Sequence, residues 1–332
     1  MWRRLSPVLS LFFLAPLIAE YLLGSLPMSL IGILPLMAFM YGSGAILIRD
    51  FVRGSGRGWA SIVLLATAYG FIEEGLITQS LFNPDYLHLR LLDFGFLPAL
   101  GTGLPWLIFV ISIHVIWSIC VPIGLTETLF KGRREAPWLG GIGRTVFALL
   151  FLLGSVMVAG FSFKQGHFMA TPAQLAMTGV VVLALIVAAV VWPKPQPARG
   201  GTAPHPVVLF LVSFISGSAL QLIQHAAQNP LHWSWPVCVA SVLGLEILFV
   251  AYLMRFTGGR VWSDLQRFSL MAGGMCVYIW VGFGTDVSLH GVADLPAHAV
   301  IAGLFIAITL WAGFIAVKPA GGALPATEAS AL

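Results

Sequence analysis

The polar and apolar positions of this chain segregate on the scale of whole helices. Apolar runs of about 20 residues, each long enough to cross a bilayer as a helix, recur at 5–26, 28–49, 59–82, 104–129, 142–163, 174–192, 206–228, 234–254, 268–284 and 297–317. Between them lie short polar or Pro/Gly-rich stretches, with Pro27, Pro84 and Pro230 at expected helix ends or tight turns. The longest connections are 83–103 and 193–205. The second, PKPQPARGGTAPH, has the composition of a flexible linker. It divides an N-terminal helical half, 1–192, from a C-terminal one, 206–317, with a disordered tail expected over 318–332.

Composition agrees with this pattern. Of 332 residues, 58% are hydrophobic and 9% charged, against roughly 25% charged in a soluble domain. So little charge cannot cover a water-facing surface, and the expected fold class is all-α, a polytopic helical membrane protein with about ten transmembrane helices. The Arg3-Arg4 start followed by a long apolar run is read as a retained first helix. The net charge of +4 calls for no nucleic-acid partner; the partner is the lipid bilayer. Cys120, Cys238 and Cys276 lie far apart in apolar runs and read as small buried hydrophobes.

Charge sets the orientation. With ten crossings both termini share one side, and 15 of the 17 basic residues fall there, leaving Arg90 and Lys164 on the other. The positive-inside rule makes the basic side cytoplasmic. The expectation is a multi-pass protein of the inner or plasma membrane with N and C termini in the cytoplasm.

The candidate chemistry is the set of polar residues inside the spans. An intramembrane carboxylate costs roughly 3 kcal/mol on insertion scales, so such groups face a bundle interior or a cavity. Glu20, Glu73, Glu74, His114 and His225 all fall in the outer half of the membrane, whereas Glu127 lies near the inner end and Glu246 near the middle. Glu74 shares a helical stripe with Thr67, Gly70 and Thr78; Glu73 is turned about 100° away, beside Tyr69 and Ser80. His114 shares a face with Ser118. Ser218, Gln221, His225 and then Gln228 or Asn229 form the longest polar stripe. The site residues expected from this pattern are Glu74, Glu73, His114, His225 and Asn229, supported by Glu20, Thr78, Ser118 and Gln221.

Two adjacent glutamates in one membrane helix, a histidine in the next and a later His-x-x-x-Asn resemble the CAAX-protease and bacteriocin-processing (CPBP, or Abi) intramembrane proteases. EEGLIT supplies Glu73 and Glu74, with Thr78 where that family's E-E-x-x-x-R motif has arginine. VISIH supplies His114, with Val110 at the phenylalanine position of F-x-x-x-H, and HAAQN supplies His225 and Asn229. The resemblance implies hydrolysis of a peptide bond in a membrane-bound substrate. Glu74 or Glu73 would be the general base, His114 and His225 would orient water or stabilise the oxyanion, and Asn229 would donate a hydrogen bond. Alternatively Glu74, His114 and His225 would hold a zinc ion with an open fourth position. Two other classes fit the same residues: a proton- or cation-coupled transporter, and a non-catalytic scaffold or immunity-type membrane protein that uses its polar groups as interhelical bonds.

A second pattern lies near the C-terminus. In DVSLHGVADLPAH, Asp286, His290, Asp294 and His298 recur every four residues. On one helix they would drift about 40° per step, and Gly291 and Pro296 interrupt any such helix, so a solvated loop is expected there.

Overall fold

A computed structural model describes residues 2–228 and 231–318. Ten helices in it are long and apolar enough to span a membrane: α1 Leu5–Leu22, α2 Met28–Gly54, α3 Trp59–Ile77, α4 Leu104–Leu129, α5 Gly141–Gly166, α6 Pro172–Val191, α7 Pro206–Ala227, α8 Trp235–Thr257, α9 Asp264–His290 and α10 Leu295–Val317. The protein is a polytopic helical membrane protein. All ten expected spans are present. The tail beyond Lys318 and the expected site residue Asn229 lie outside the described residues.

The helices sort by burial. About 61% of α1 and α4, 56% of α3 and 50% of α9 is covered by the rest of the protein, against 6% of α5, 17% of α6 and 11% of α8. The first set therefore forms the centre, and the second presents apolar side chains to lipid. α4 is in contact with α1, α2, α3, α8 and α9. Its Trp117 stacks on Tyr278 of α9 at 4.4 Å and donates to the Gly274 carbonyl at 2.8 Å. On the other side of α4, Ile119 and Ile123 pack with Ile46, Ile62 and Ala66 of α2 and α3.

α1 and α2 meet so closely that only glycine fits at position 42, where a Cβ would lie 2.1 Å from the Phe12 carbonyl oxygen. The obstacle is backbone and cannot swing aside. Gly42→Ala is expected to lower stability by about 1–3 kcal/mol, read as an earlier thermal unfolding transition in detergent.

One end of the bundle is tied by ion pairs. Glu127 of α4 accepts from Arg53 at 2.8 and 2.7 Å and from Arg49 at 3.0 Å, all three side chains being buried. Arg49 also donates to the carbonyls of Arg133, Arg134 and Ala136 and lies 3.6 Å from the centroid of Trp138. Asp50 accepts from the Trp138 and Leu139 amides and from Arg144, so the 131–140 connection is latched onto α2. At the same end Lys131 and Arg134 pair with Asp264 of α9. The sequence reading of Glu127 as a group apart from the outer cluster agrees with this placement.

At the opposite end the chain departs from the hydropathy pattern. α3 ends at Ile77, not at Phe82. Its last turn, Ile72–Ile77, is π-helical, the Thr78 amide bonds back to the Glu73 carbonyl at 2.8 Å, and Gln79 turns left-handed with φ 58°. Residues 78–103 then form a compact cover containing a short hairpin, β1 Phe96–Leu97 with β2 Thr102–Gly103. Leu81 and Phe82 pack on Val110 and Ile111 of α4. The segment also holds four non-glycine residues at positive φ, Gln79, Leu87, His88 and Arg90, a concentration of strained backbone of the kind found around binding sites.

Candidate functional site

The site is assembled from four π-helical turns: Leu17–Leu22 in α1, Ala38–Gly42 in α2, Ile72–Ile77 in α3 and His114–Cys120 in α4. They carry Glu20, Tyr41, Glu73 with Glu74, and His114. Such turns are rare, well under 1% of residues, and concentrate at functional positions. Three of the polar residues are also level with one another. Glu20 stands 15 residues after Leu5 (20 − 5), Glu74 15 after Trp59 (74 − 59) and His114 15 before Leu129 (129 − 114). At 1.5 Å per residue each is about 22 Å along its helix from the ion-paired end.

His114 is the hub. Its Nε2 lies 2.8 Å from Glu74 Oε1 and its Nδ1 lies 3.2 Å from Glu73 Oε2 and 3.0 Å from Ser118 Oγ. The two carboxylates diverge around α3, yet both reach one residue because the imidazole presents its nitrogens in different directions. Gly70, one turn earlier, makes room: a Cβ there would stand 3.3 Å from His114 Cβ. All three side chains are buried, with residue exposures of 2%, 7% and 5% for Glu73, Glu74 and His114.

Partners hold this trio. Glu74 Oε2 accepts from Thr78 Oγ1 at 3.1 Å and from Ser80, which in turn accepts from Trp106 Nε1 at 3.3 Å. The Tyr41 ring stacks beside His114 and Tyr69 meets it edge-on, each at 6.2 Å between centroids. The Tyr41 hydroxyl bonds to Glu20, and Ser25 Oγ bonds to the other Glu20 oxygen at 2.6 Å. Tyr86 comes from the covering segment. Burial, then the charges of Glu74, Glu20 and Glu73, push its phenol above the ordinary tyrosine value, so it stays a proton donor.

Among the described residues no lysine or arginine pairs with Glu73 or Glu74, whose charged partner is His114. Glu73 Oε2 and the Tyr69 hydroxyl are also buried without a well-directed hydrogen bond, a condition that buried polar groups ordinarily avoid. One ligand atom each from Glu73, Glu74 and His114 lies within 4.8 Å of the other two, the only such group among the described residues. Two oxygens and one nitrogen at this spacing suit a zinc-class ion with a position left open.

The structure places the remaining expected residues as follows. Thr78 and Ser118 touch the trio directly, and Glu20 joins it through Tyr41. His225 does not join it: it is exposed on α7, pairs with the Gln221 carbonyl at 2.7 Å and meets Phe109 edge-on. The structure therefore does not bring Glu74, His114 and His225 together; Glu73, not His225, stands beside Glu74 and His114. Gln221 is buried with both side-chain polar atoms unpaired, separately from this cluster. Glu246 bonds to Ser112 on α4. Sequence reasoning missed Tyr41, Trp106 and Tyr86. Only the alignment of Tyr41 with the carboxylates in depth could have flagged any of them.

A model of an uncharacterized membrane protein family matches residues 9–325, nearly the whole chain. That match overturns the resemblance to the CPBP proteases, whose short motifs were met here by a few polar residues in apolar sequence. The peptidase roles carried over to His225 and Asn229 fall with it. No curated protein and no solved structure matches the chain.

Proposed function

The chain belongs to this uncharacterised membrane protein family, and from that premise we propose that it is a membrane-embedded hydrolase built around one metal ion held by Glu73, Glu74 and His114. The observation that carries the proposal is the buried cluster in which one ligand atom each from Glu73, Glu74 and His114 lies within 4.8 Å of the other two. A zinc-class ion in this set supplies Lewis acidity and lowers the pKa of a water in the open position to about 7. Glu73, beside the position such an ion would leave open, would be the base that takes a proton from water. The reaction would add water across an ester or amide bond, with the proton taken by Glu73 passing to the leaving group. The hydroxyls of Tyr69 and Tyr86 are the donors for the developing oxyanion.

The surroundings favour one-sided chemistry over conduction. Between the trio and the Arg49–Arg53–Glu127 network, Ile46, Ile62, Ala66, Ile119 and Ile123 belong to one buried apolar cluster. A proton- or cation-coupled carrier needs a polar route past that level. Above the trio lies the strained 78–103 segment, held by Ala170 of the α5–α6 connection through the Gln79 side chain, and it is the natural point of entry. Reading the arginine-rich end as cytoplasmic places the entrance on the outer face of the cell membrane.

The test works without an identified substrate. Membrane lipids and peptides are compared between cells producing the wild type and cells producing Glu74→Gln. The proposal expects an intact ester or amide to accumulate only with the variant. Identical profiles, with both proteins folded and present in equal amount, would contradict it.

A further inference from the structure

The 193–205 connection between α6 and α7 runs over the ion-paired end of the bundle and is stitched to it at both ends and in the middle. At its start the Trp192 carbonyl accepts from Arg57 Nη1 at 2.8 Å, and Pro195 packs so close to the α2–α3 turn that a Cβ on Gly58 would lie 2.7 Å from its Cγ. In the middle the Arg199 amide donates to the Gly259 carbonyl at 2.8 Å, the Val261 amide to Gly201 at 3.0 Å and the Ala203 amide to Val261 at 3.0 Å. These bonds make a short parallel ladder with the α8–α9 connection. At its end Gln266 Nε2 of α9 donates to the Ala203 and Pro204 carbonyls at 2.7 and 2.9 Å.

The ladder sets Arg199 next to the Gly259–Arg260 step. Arg260 Nη1 donates to the Thr202 carbonyl at 3.2 Å, and Arg199 Nη2 to Gln196 at 2.6 Å. Arg255 stands in the last turn of α8, its guanidinium 5.6 Å from the centroid of the Phe256 ring. Arg199 and Arg255 are exposed and Arg260 is half-buried. None of the three pairs with a carboxylate among the described residues, and the sequence has no aspartate or glutamate between Glu135 and Glu246. The rest of this end is built differently: Arg49, Arg53, Lys131, Arg134 and Arg144 each have a carboxylate partner. Phe256 and Val261 stand exposed among the three arginines.

We propose that Arg199, Arg255 and Arg260 form a docking surface for the phosphodiester headgroup of an anionic phospholipid in the leaflet at this end. A guanidinium presents a planar fork of donors that matches phosphate oxygens. An anionic leaflet attracts basic residues that flank a span, and Arg255 lies within the last turn of one, Trp235–Thr257, at the level where hydrocarbon gives way to headgroups. The exposed Phe256 and Val261 beside the arginines suit a ligand that carries acyl chains, which a free phosphate does not. The ladder fixes the backbone of two of the arginines in advance, so binding does not have to order the connection. Orientation by the positive-inside rule needs only a number of basic residues on one side. It does not need them gathered on a hydrogen-bonded platform with no carboxylate. The site does not depend on the hydrolase reading.

The test uses full-length protein in detergent micelles doped with equal amounts of phosphatidylglycerol and phosphatidylcholine, with the retained lipids counted by native mass spectrometry. Wild type is expected to retain phosphatidylglycerol in preference. Arg199→Gln with Arg255→Gln keeps every backbone bond of the ladder and the Arg260 bond to Thr202, and is expected to weaken that retention at least about tenfold. Arg90→Gln with Lys164→Gln removes the same charge at the opposite end and is expected to leave retention unchanged. If the first pair does not yield monodisperse protein, Arg255→Gln alone, whose side chain holds no backbone group, is expected to weaken retention by about fivefold. Wild type without a preference for phosphatidylglycerol would overturn the proposal. So would equal retention in the folded Arg199 and Arg255 variant. Release of the lipid by inorganic phosphate, but not by chloride of equal ionic strength, would assign the surface to free phosphate and overturn it too.

Discussion

Glu127→Ala is expected to destabilise the protein by about 3–5 kcal/mol, the cost of stranding a buried charge by removing its partner. The figure belongs at the upper part of that range because one carboxylate serves two guanidinium groups, bonding to Arg53 through both of its oxygens and to Arg49 through one. Arg49 is fully buried, and its other donors fix the 131–140 connection. Its displacement loosens three helices and a loop together. Arg144→Ala is the contrast. Arg144 is half exposed, and Asp50 keeps the Trp138 and Leu139 amides when Arg144 is gone, so its loss costs about 1 kcal/mol or less. Thermal unfolding of both variants in the same detergent measures the difference. A Glu127→Ala transition no lower than that of Arg144→Ala would show that the buried triad does not hold this end together.

The second large effect is on the centre. Glu74→Gln keeps the size of the side chain and an oxygen for Thr78 and Ser80, so folding is expected to survive. It removes one ligand charge, and zinc affinity is expected to fall by more than about 100-fold, beyond the 10–100-fold typical of outer-sphere changes. Ser80→Ala supplies that outer comparison, since it strips one hydrogen bond from Glu74 and leaves the ligand. Competition with a chromophoric chelator ranks the proteins, in the expected order wild type, Ser80→Ala, Glu74→Gln. Equal affinities for wild type and Glu74→Gln would remove Glu74 from the metal set.

Much of this architecture was legible in the sequence because a membrane helix must satisfy its own backbone within one apolar segment. Run length alone therefore located the ten spans. The end of α3 was not legible. Three uncharged polar residues, Thr78, Gln79 and Ser80, precede Leu81 and Phe82 and do not by themselves end a span; the π-turn and the left-handed Gln79 stop the helix at Ile77. The centre was half legible. Glu74 and His114 stood out by burial cost and shared depth, and they do meet. His225 was grouped with them because a helical wheel gives the faces of a helix but not its rotation against its neighbours. The rotation adopted by α7 buries Gln221 and exposes His225. The wheel also turned Glu73 away by about 100°, which treats a carboxylate as a direction; a ring with two nitrogens reaches both glutamates. Tyr41, an aromatic residue in an apolar helix, carried no signal beyond its depth. The Asp286–His298 repeat was misread for a related reason. A period of four was tested against one helix, whereas the chain folds it as two, closing α9 and opening α10 and burying Asp286 and His298.

The central claim is that Glu73, Glu74 and His114 hold one metal ion inside the membrane. X-ray absorption at the zinc edge, on full-length protein loaded with zinc, tests it. One zinc per chain is expected, with one imidazole and otherwise oxygen neighbours at about 2.0–2.2 Å, and with loss of that zinc in His114→Ala. Folded protein that binds no zinc, or zinc whose spectrum is unchanged by His114→Ala, would contradict it.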